Sequence, residues 1–295
     1  MRLIKKTGTP YATQGKKATK EFIDSCWCET TMQYNNLIYD RSRLCHIEEI
    51  LVNEQKDRNG DSYCCYCMRK LYLRKTDVHR SNVTLEHIIP HKIKESEWNA
   101  NRREYEKFAN LKETYIRVFY NGDLTPTQKV VKIKRMPYPH FISYYNLVAS
   151  CDGTILEEEK LQGSRCCNNN RQERFVLPIY LKKNLSRGLE YDKKGLLDYD
   201  DLKYEEKWFD CNHLNLNNSW IVLVRKLWYK ISKSEYSDLD IEQAIKDKNM
   251  RQEIIDDIDS CNEIMSWINN DNAWNLLSEY SWFYQYYKNK YKYKC

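Results

Sequence analysis

The chain has 295 residues, 31% of them charged and 41% apolar. That balance excludes disorder throughout and allows one large or two modest domains. A formal net charge of +6, from 48 basic and 42 acidic residues, permits nucleic-acid binding without arguing for it. No run of about 18 apolar residues occurs, so no membrane span is expected. The first residues, MRLIKKTGTPYATQGKK, lack the apolar stretch of a secretory signal, and a cytoplasmic location is expected.

In chain order, residues 1–58 read as a basic, flexible arm followed by a helix with Leu44, Ile47, Ile50 and Leu51 on one face. The run KDRNGD ends that helix. Residues 59–180 carry short strands and the clustered cysteines. Within 181–295, EYDKKGLLDY reads as a hairpin and SWIVLVRKLWYKI as a helix with a broad apolar face. Ile254, Ile258, Cys261, Met265 and Ile268 repeat at spacings of four and three, which predicts a further helix. DLDIEQ reads as a helix start with Asp as N-cap. The tail SWFYQYYKNKYKYKC mixes aromatics with lysines; packing on its own domain or a partner is favoured over base stacking. The fold class expected is α+β.

Twelve cysteines without a secretory signal point to metal rather than to a disulfide scaffold. YCCYCMRKLYL holds Cys64 and Cys67 at C-x2-C spacing, which lets one tight turn offer two thiolates to the same ion. A second pair must come from NLVASCDG and SRCCNNNR. The assignment is Cys64, Cys67, Cys151 and Cys167, with Cys65 and Cys166 as adjacent alternatives. Four thiolates leave no open position, so the ion is a structural zinc whose binding, worth on the order of 10 kcal/mol, holds a small module together. Cys26 and Cys28, and the isolated Cys211, Cys261 and Cys295, read as core or solvent thiols.

The stretch VTLEHIIP ends an apolar alternation on Glu86 and His87 before Pro90 stops ladder pairing. Neighbours on a strand point to opposite faces, so one can reach a metal while the other approaches a water. Asn146 in YYNL and Asn168, directly after Cys167, complete the set. His91 falls in the following loop and is the weaker base candidate. His46, His79, His140 and His213 read as structural or surface residues.

C-x2-C, a strand ending in Glu-His-Ile-x-Pro, Asn-Leu, then Cys and Cys-Asn resembles the HNH nuclease family, in the family's order, over about Tyr63 to Arg174. The resemblance implies a zinc-stapled ββα-metal core between an N-terminal helical arm and a mostly helical C-terminal region. It implies His87 as general base and Asn146 as the residue that orients base or substrate. Glu86 and Asn168 become ligands of a catalytic Mg²⁺ or Mn²⁺. The chemistry suits those residue types: neutral imidazole is a base near pH 7, and oxygen donors suit a hard cation. Arg165, Arg171 and Arg174 are candidate phosphate contacts, or equally counter-charges for the zinc thiolates. Two departures from the family pattern are the insertion carrying ESEWNANRREYEKFANLKE, expected helical, and Asn in place of the last His.

YCCYCMRKL, EHIIP, NLVASCDG and LNLNNSWIVLVRK together resemble the HNH nuclease subunits of Septu-type and retron-linked anti-phage systems. That likeness implies a DNA or tRNA substrate, an ABC-type ATPase partner and, in the retron-linked case, a reverse transcriptase with its msDNA. A reading from another class uses the same cysteines without His87: a zinc-stapled adaptor that binds an ATPase or nucleic acid and does not cut.

Overall fold

The structure, a computed structural model, describes residues 3–35, 37–77, 79–109, 115–116, 138–155, 165–171, 176, 178–181, 189–198, 211–259 and 262–291. Cys261, Cys295 and Arg174 lie outside the described residues.

The basic arm expected to be flexible is a packed helix, α1 (Pro10–Ser25). Thr9 caps it by accepting from the Ala12 N–H at 3.1 Å, and Pro10 opens the first turn, where its missing N–H costs nothing. Ala12, Gly15, Ala18, Thr19, Phe22 and Ile23 form a buried stripe at helical spacing among the basic residues. Lysine counts hid that stripe from the charge-based reading. A short ribbon, β1 (Trp27–Cys28) with β2 (Gln33–Tyr34), precedes α2 (Cys45–Glu54), which buries Ile47, Ile50 and Leu51 as expected. Helix α1 packs on α2 and on the turn at Tyr144–Asn146.

The centre is an antiparallel ribbon of β3 (Val83–His87) and a later strand, Leu147–Cys151. Between them lie α3 (Glu95–Ala109), which is the inserted helix, and a parallel pair, β4 (Tyr115–Ile116) with β5 (Tyr138–Pro139). The later strand is β6. Register pairs Val83 with Cys151, Leu85 with Ala149 and His87 with Leu147. Gln55 closes the outer edge of β6: its amide donates to the Ala149 carbonyl at 3.0 Å and accepts from the Ala149 N–H at 2.9 Å. One side chain thus mimics a third strand.

The alternation in VTLEH predicts a half-buried strand, but only Thr84 is partly exposed. The ribbon is covered on two sides, by α2 and by α4 (Cys167–Arg171), and Glu86 is buried because it gains an arginine partner.

Beyond the ribbon, EYDKKGLLDY forms the expected hairpin, β7 (Glu190–Tyr191) with β8 (Leu197–Asp198). Helices α5 (Cys211–Leu214), α6 (Ser219–Ile231), α7 (Asp238–Ala244), α8 (Lys248–Ile258), α9 (Asp271–Glu279) and α10 (Trp282–Lys290) follow. Two expectations change. The cap of α7 is Ser237, one residue earlier than expected: it exchanges hydrogen bonds with Asp240 in a capping box. The helix expected through Ile268 stops at Ile258, and a separate 3-10 turn begins at Met265. The Asp259 carboxylate accepts from the Ile264 N–H at 2.8 Å, which folds the chain back and breaks the helical run. The aromatic tail packs inward, with Phe283 and Tyr287 fully buried. No helix among the described residues is long and apolar enough to cross a membrane.

Gly15 marks the closest approach of α1 to the centre. A Cβ there would sit 2.2 Å from ring carbons of Tyr144, whose hydroxyl donates to Glu54. Alanine adds about 1 kcal/mol of helix propensity, and overpacking costs about 1–3 kcal/mol. Gly15→Ala is therefore expected to be net destabilising, read as a lower midpoint in denaturant.

Candidate metal centre and adjoining cleft

The turn after Ser62 brings Cys64 and Cys67 under the start of β3, and Met68 leaves it in the left-handed region at φ 65°. Gly153 supplies the other tight approach: φ is +75°, and a Cβ would lie 2.1 Å from the Cys166 carbonyl. That turn returns the chain so that the Cys166 N–H donates to the Gly153 carbonyl at 2.9 Å, and Cys167 follows at φ 52°. A bulky residue held there stores strain, the kind retained where a site requires it.

The four sulfurs of Cys64, Cys67, Cys151 and Cys167 lie within 4.8 Å of one another, all buried. Cys64 and Cys167 are 3.9 Å apart, Cys67 and Cys151 3.7 Å. A tetrahedron with sulfurs at about 2.3 Å from its centre has edges of about 3.8 Å, whereas a disulfide needs about 2.05 Å. The donor set and spacing fit a metal ion such as zinc. Cys65 is buried beside the quartet, and burial raises its thiol well above the ordinary range, so it stays protonated. Cys166 is buried outside the quartet, Cys26 is buried with Arg43 3.1 Å from its sulfur, and Cys28 is half-buried.

Along the ribbon from Thr84 to His87, and on to His91, runs a cleft of about 370 Å³ lined by Tyr39, Arg41, Thr84, Leu85, Glu86, His87, Pro90, His91, Asn168 and Arg171. Four rungs of antiparallel strand separate His87 from the level of Val83 and Cys151, roughly 13 Å at the usual rise.

Within the cleft, His87 Nε2 lies 2.9 Å from the Phe141 carbonyl. A carbonyl can only accept, so Nε2 carries the proton and Nδ1 holds the lone pair. Nδ1 has no hydrogen-bond partner among the described residues. Burial pushes the His87 pKa down to about 3, with His91 and His140 adding to the effect and the Phe141 bond opposing it. The ring packs against Tyr39 and His91 with centroids 4.5 and 5.2 Å away.

Glu86 is held by Arg171, whose guanidinium also donates to Tyr66 Oη at 3.0 Å and to the carbonyls of His87 and Ile88 at 2.6 and 3.1 Å. Arg171, offered by sequence equally as a phosphate contact or as a counter-charge for the thiolates, is 1% exposed and serves as an internal strut on Glu86. Arg165 is exposed, and its carbonyl accepts from Asn215 at 2.8 Å. Asn168 donates its amide to Thr84 Oγ1 at 3.2 Å, which leaves the amide oxygen for a ligand. Asn146 does not line the cleft. Its Oδ1 accepts from the Ile89 N–H at 2.8 Å, and its Nδ2 donates to the Ile89 and His140 carbonyls at 2.9 and 3.0 Å. It fixes the turn after His87 and is too occupied to touch a substrate.

Tyr39 and Arg41 were not singled out by sequence, and His91 was named only as the weaker base candidate. Only His91, four residues after His87, carried a local signal. Arg41 binds Glu48 and the Val83 carbonyl, a pairing across 42 residues that spacing does not reveal. The remaining histidines are structural or superficial: His79 stacks on Tyr72, His140 lies 3.2 Å from the Pro90 carbonyl, His46 is exposed and His213 half-buried.

No family model matches the chain, and no curated protein or solved structure matches it either. Among the described residues, the cysteine quartet is the one cluster of three or more His, Cys, Asp or Glu ligand atoms spaced to hold a metal; Glu86 and His87 belong to none.

Two outcomes test this geometry. Cys64→Ser and Cys151→Ser are expected to lose bound metal and to melt well below wild type, while Cys65→Ser keeps one ion per chain, by elemental analysis and thermal denaturation. Arg171→Met is expected to destabilise by about 3–5 kcal/mol, because it leaves the Glu86 carboxylate buried and unpaired. Adding Glu86→Gln should recover part of that loss in chemical denaturation.

Proposed function

We propose that the protein is a metal-dependent HNH endonuclease, with β3, β6 and α4 as its ββα core and a structural zinc in the cysteine quartet. The observation that carries this reading is His87. Its Nε2–H is fixed by the Phe141 carbonyl, and its Nδ1 lone pair has no described protein partner in a cleft shared with Glu86 and Asn168. Nδ1 is the atom that takes a proton from the attacking water. Burial keeps the imidazole in the neutral form a base requires, and a phosphodiester anion beside it favours the imidazolium as it forms.

Carboxylate and amide oxygens fit a hard divalent cation, so Glu86 and Asn168 are the residues that would hold Mg²⁺ or Mn²⁺. When bound there, such an ion supplies charge stabilisation to the phosphoryl and leaving oxygens. Arg41, 46% exposed in its side chain, stands at the cleft as a phosphate contact. Asn146 serves by fixing the turn that carries His87.

A role as toxic effector of an anti-phage system, working with an ABC-type ATPase and in some systems a retron, rests on the likeness of YCCYCMRKL, EHIIP, NLVASCDG and LNLNNSWIVLVRK to such subunits. The second reading, a zinc-stapled adaptor, is favoured by one observation: Arg171 already neutralises Glu86.

The deciding experiment incubates purified protein, alone and with the product of its genomic neighbour, with plasmid and with total RNA, in Mg²⁺, Mn²⁺ or chelator. His87→Ala is expected to reduce cleavage at least about 10²-fold while keeping metal content and melting temperature. Cleavage by His87→Ala at the wild-type rate would remove the assignment; no cleavage by wild type with its partner on either substrate would favour the adaptor.

A further inference from the structure

We propose that Arg225, with the hydroxyls of Tyr191 and Tyr280, is the internal counter-charge of the metal centre: a buried cation and two buried donors, left without acceptors of their own, that answer the negative charge of an ion held by four thiolates. The inference rests on the metal reading of the cysteine quartet and is independent of the nuclease reading.

Arg225 is the unexplained residue. Four arginines are buried among the described residues, and three of them hold a carboxylate: Arg69 with Glu279, Arg171 with Glu86 and Arg251 with Asp271. Arg225, fully buried on α6, pairs with no carboxylate among the described residues. Its Nε and Nη2 have no hydrogen-bond partner, and Nη1 reaches only the Gly195 carbonyl, at 3.4 Å. Aromatic rings carry the guanidinium, whose carbon lies 4.6 Å from the Tyr191 ring centre and 5.3 Å from that of Phe283. Ring faces attract a cation but leave its N–H groups without true acceptors. A buried charge in that state is costly unless an opposite charge answers it.

Two further orphaned groups meet the same ring. Tyr191 and Tyr280 are fully buried, and neither hydroxyl has a hydrogen-bond partner. The Phe283 ring touches both, with centroids 4.8 Å from Tyr191 and 6.2 Å from Tyr280. This layer adjoins the cysteine segments on two sides. The Lys70 N–H donates to the Glu279 carbonyl at 2.6 Å and Arg69 binds the Glu279 carboxylate, so Tyr280 follows directly from a contact with the segment after Cys67. Asn215 donates to the Arg165 carbonyl at 2.8 Å and Asn170 to the His213 carbonyl at 3.0 Å, which seats the entry to α6 on both flanks of Cys166 and Cys167. In the same entry Asn217 accepts from the Leu197 N–H at 2.9 Å and so ties in the β7–β8 hairpin that carries Tyr191.

Electrostatics link the layer to the sulfurs. Burial raises the Tyr191 phenol, Arg225 opposes the rise, and Cys67 and Cys167 add to it. Burial raises the Tyr280 phenol as well, with Cys67, Cys166 and Cys151 adding to the effect. Both hydroxyls therefore keep their protons and remain donors. A divalent ion with four thiolates carries a net negative charge, and the other two buried arginines that border the quartet, Arg69 and Arg171, are already balanced by Glu279 and Glu86. Arg225 is the buried cation left to answer it. Groups beyond the ligands hold a metal site in this way, and their loss typically costs about 10- to 100-fold in affinity.

The test loads the full-length chain with Zn²⁺ and measures its affinity by competition with a chromophoric chelator, so no turnover is needed. Arg225→Met is expected to bind zinc about 10- to 100-fold more weakly than wild type, and Arg225→Lys, which keeps the charge, to recover most of that loss. The pair Tyr191→Phe/Tyr280→Phe, which removes two hydroxyls and keeps both rings, should weaken zinc by about 10-fold. Arg251→Met is the control: it removes a buried arginine of the same C-terminal helices that is paired with Asp271, and it is expected to lower the melting temperature while holding zinc as wild type does. Wild-type affinity in Arg225→Met would overturn the inference. Equal weakening by Arg225→Met and Arg251→Met would also overturn it, since helix packing would then be the cause. So would equal weakening by Arg225→Met and Arg225→Lys, since shape and not charge would be responsible. If Arg225→Met does not fold, the tyrosine pair decides, and wild-type affinity there overturns the inference. A wild-type chain that binds no zinc would instead remove the metal reading on which it rests.

Discussion

The antiparallel pairing of Val83–His87 with Leu147–Cys151 is the constraint on which both sites depend. Side chains alternate along a strand, so a slip of one residue would turn Cys151 away from the other sulfurs and His87 away from Phe141 at once. A two-stranded ribbon is marginal in water. Here it is closed at its outer edge by Gln55 and at one end by four sulfurs drawn from three segments of chain. An ion held by those sulfurs would fix the register that the cleft along the ribbon requires.

Helix α4 serves both sites. In little more than one turn it offers Cys167 to the sulfur cluster, Asn168 to the cleft and Arg171 to Glu86. Buried ion pairs recur where distant segments meet: Glu86 with Arg171, Glu54 with Lys6, and Glu279 with Arg69. Burial alone would raise the Glu279 carboxyl, but Arg69 and His79 hold it below the usual range, and its backbone carbonyl accepts from the Lys70 N–H at 2.6 Å. The last long-range contact ties α9 to the segment just after Cys67, so the C-terminal helices brace the cysteine quartet. Such pairs contribute little net stability, because desolvation offsets attraction, but each is costly to break on one side. They therefore act chiefly to select one arrangement of segments.

Legibility in the sequence followed the range of the interactions. The quartet Cys64, Cys67, Cys151 and Cys167 was readable because two thiols at C-x2-C spacing in one tight turn suit a shared metal ion, and two further cysteine-bearing segments stood ready to complete the set. Strand β3 and helix α6 were readable from their own periodicity. Helix α1 was missed because the first four residues of its buried stripe, Ala12, Gly15, Ala18 and Thr19, are small and lie among lysines, and Gly15 is understood only beside Tyr144. The break after Ile258 depends on one carboxylate folding back to Ile264. The partner of Arg171 was illegible, and phosphate contact and thiolate counter-charge stood as equal readings, because its four acceptors come from Tyr66 and three residues of β3 and its turn, about 80 to 105 positions away. Tyr39 and Arg41 reach the cleft through tertiary packing alone.

On the nuclease reading, the environment of His87 is what would separate a base from a core histidine. A core histidine is satisfied at both nitrogens or packed without a cleft, as His140 is when it braces Pro90. His87 is bonded on one side only, so its tautomer is fixed while the other nitrogen is left for a ligand. Burial makes the neutral ring the resting form, which is the form an acceptor of protons must have. The opposing feature is Glu86, whose charge Arg171 already balances. Two unit charges about 4 Å apart repel by about 4 kcal/mol at an effective dielectric near 20, and a divalent ion doubles that. A cation sharing Glu86 with Arg171 must offset that repulsion, and a phosphodiester in the cleft carries charge of the sign required. On the nuclease reading, cation and nucleic acid are thus ligands that favour each other's binding, and the resting cleft is weakly competent for either alone.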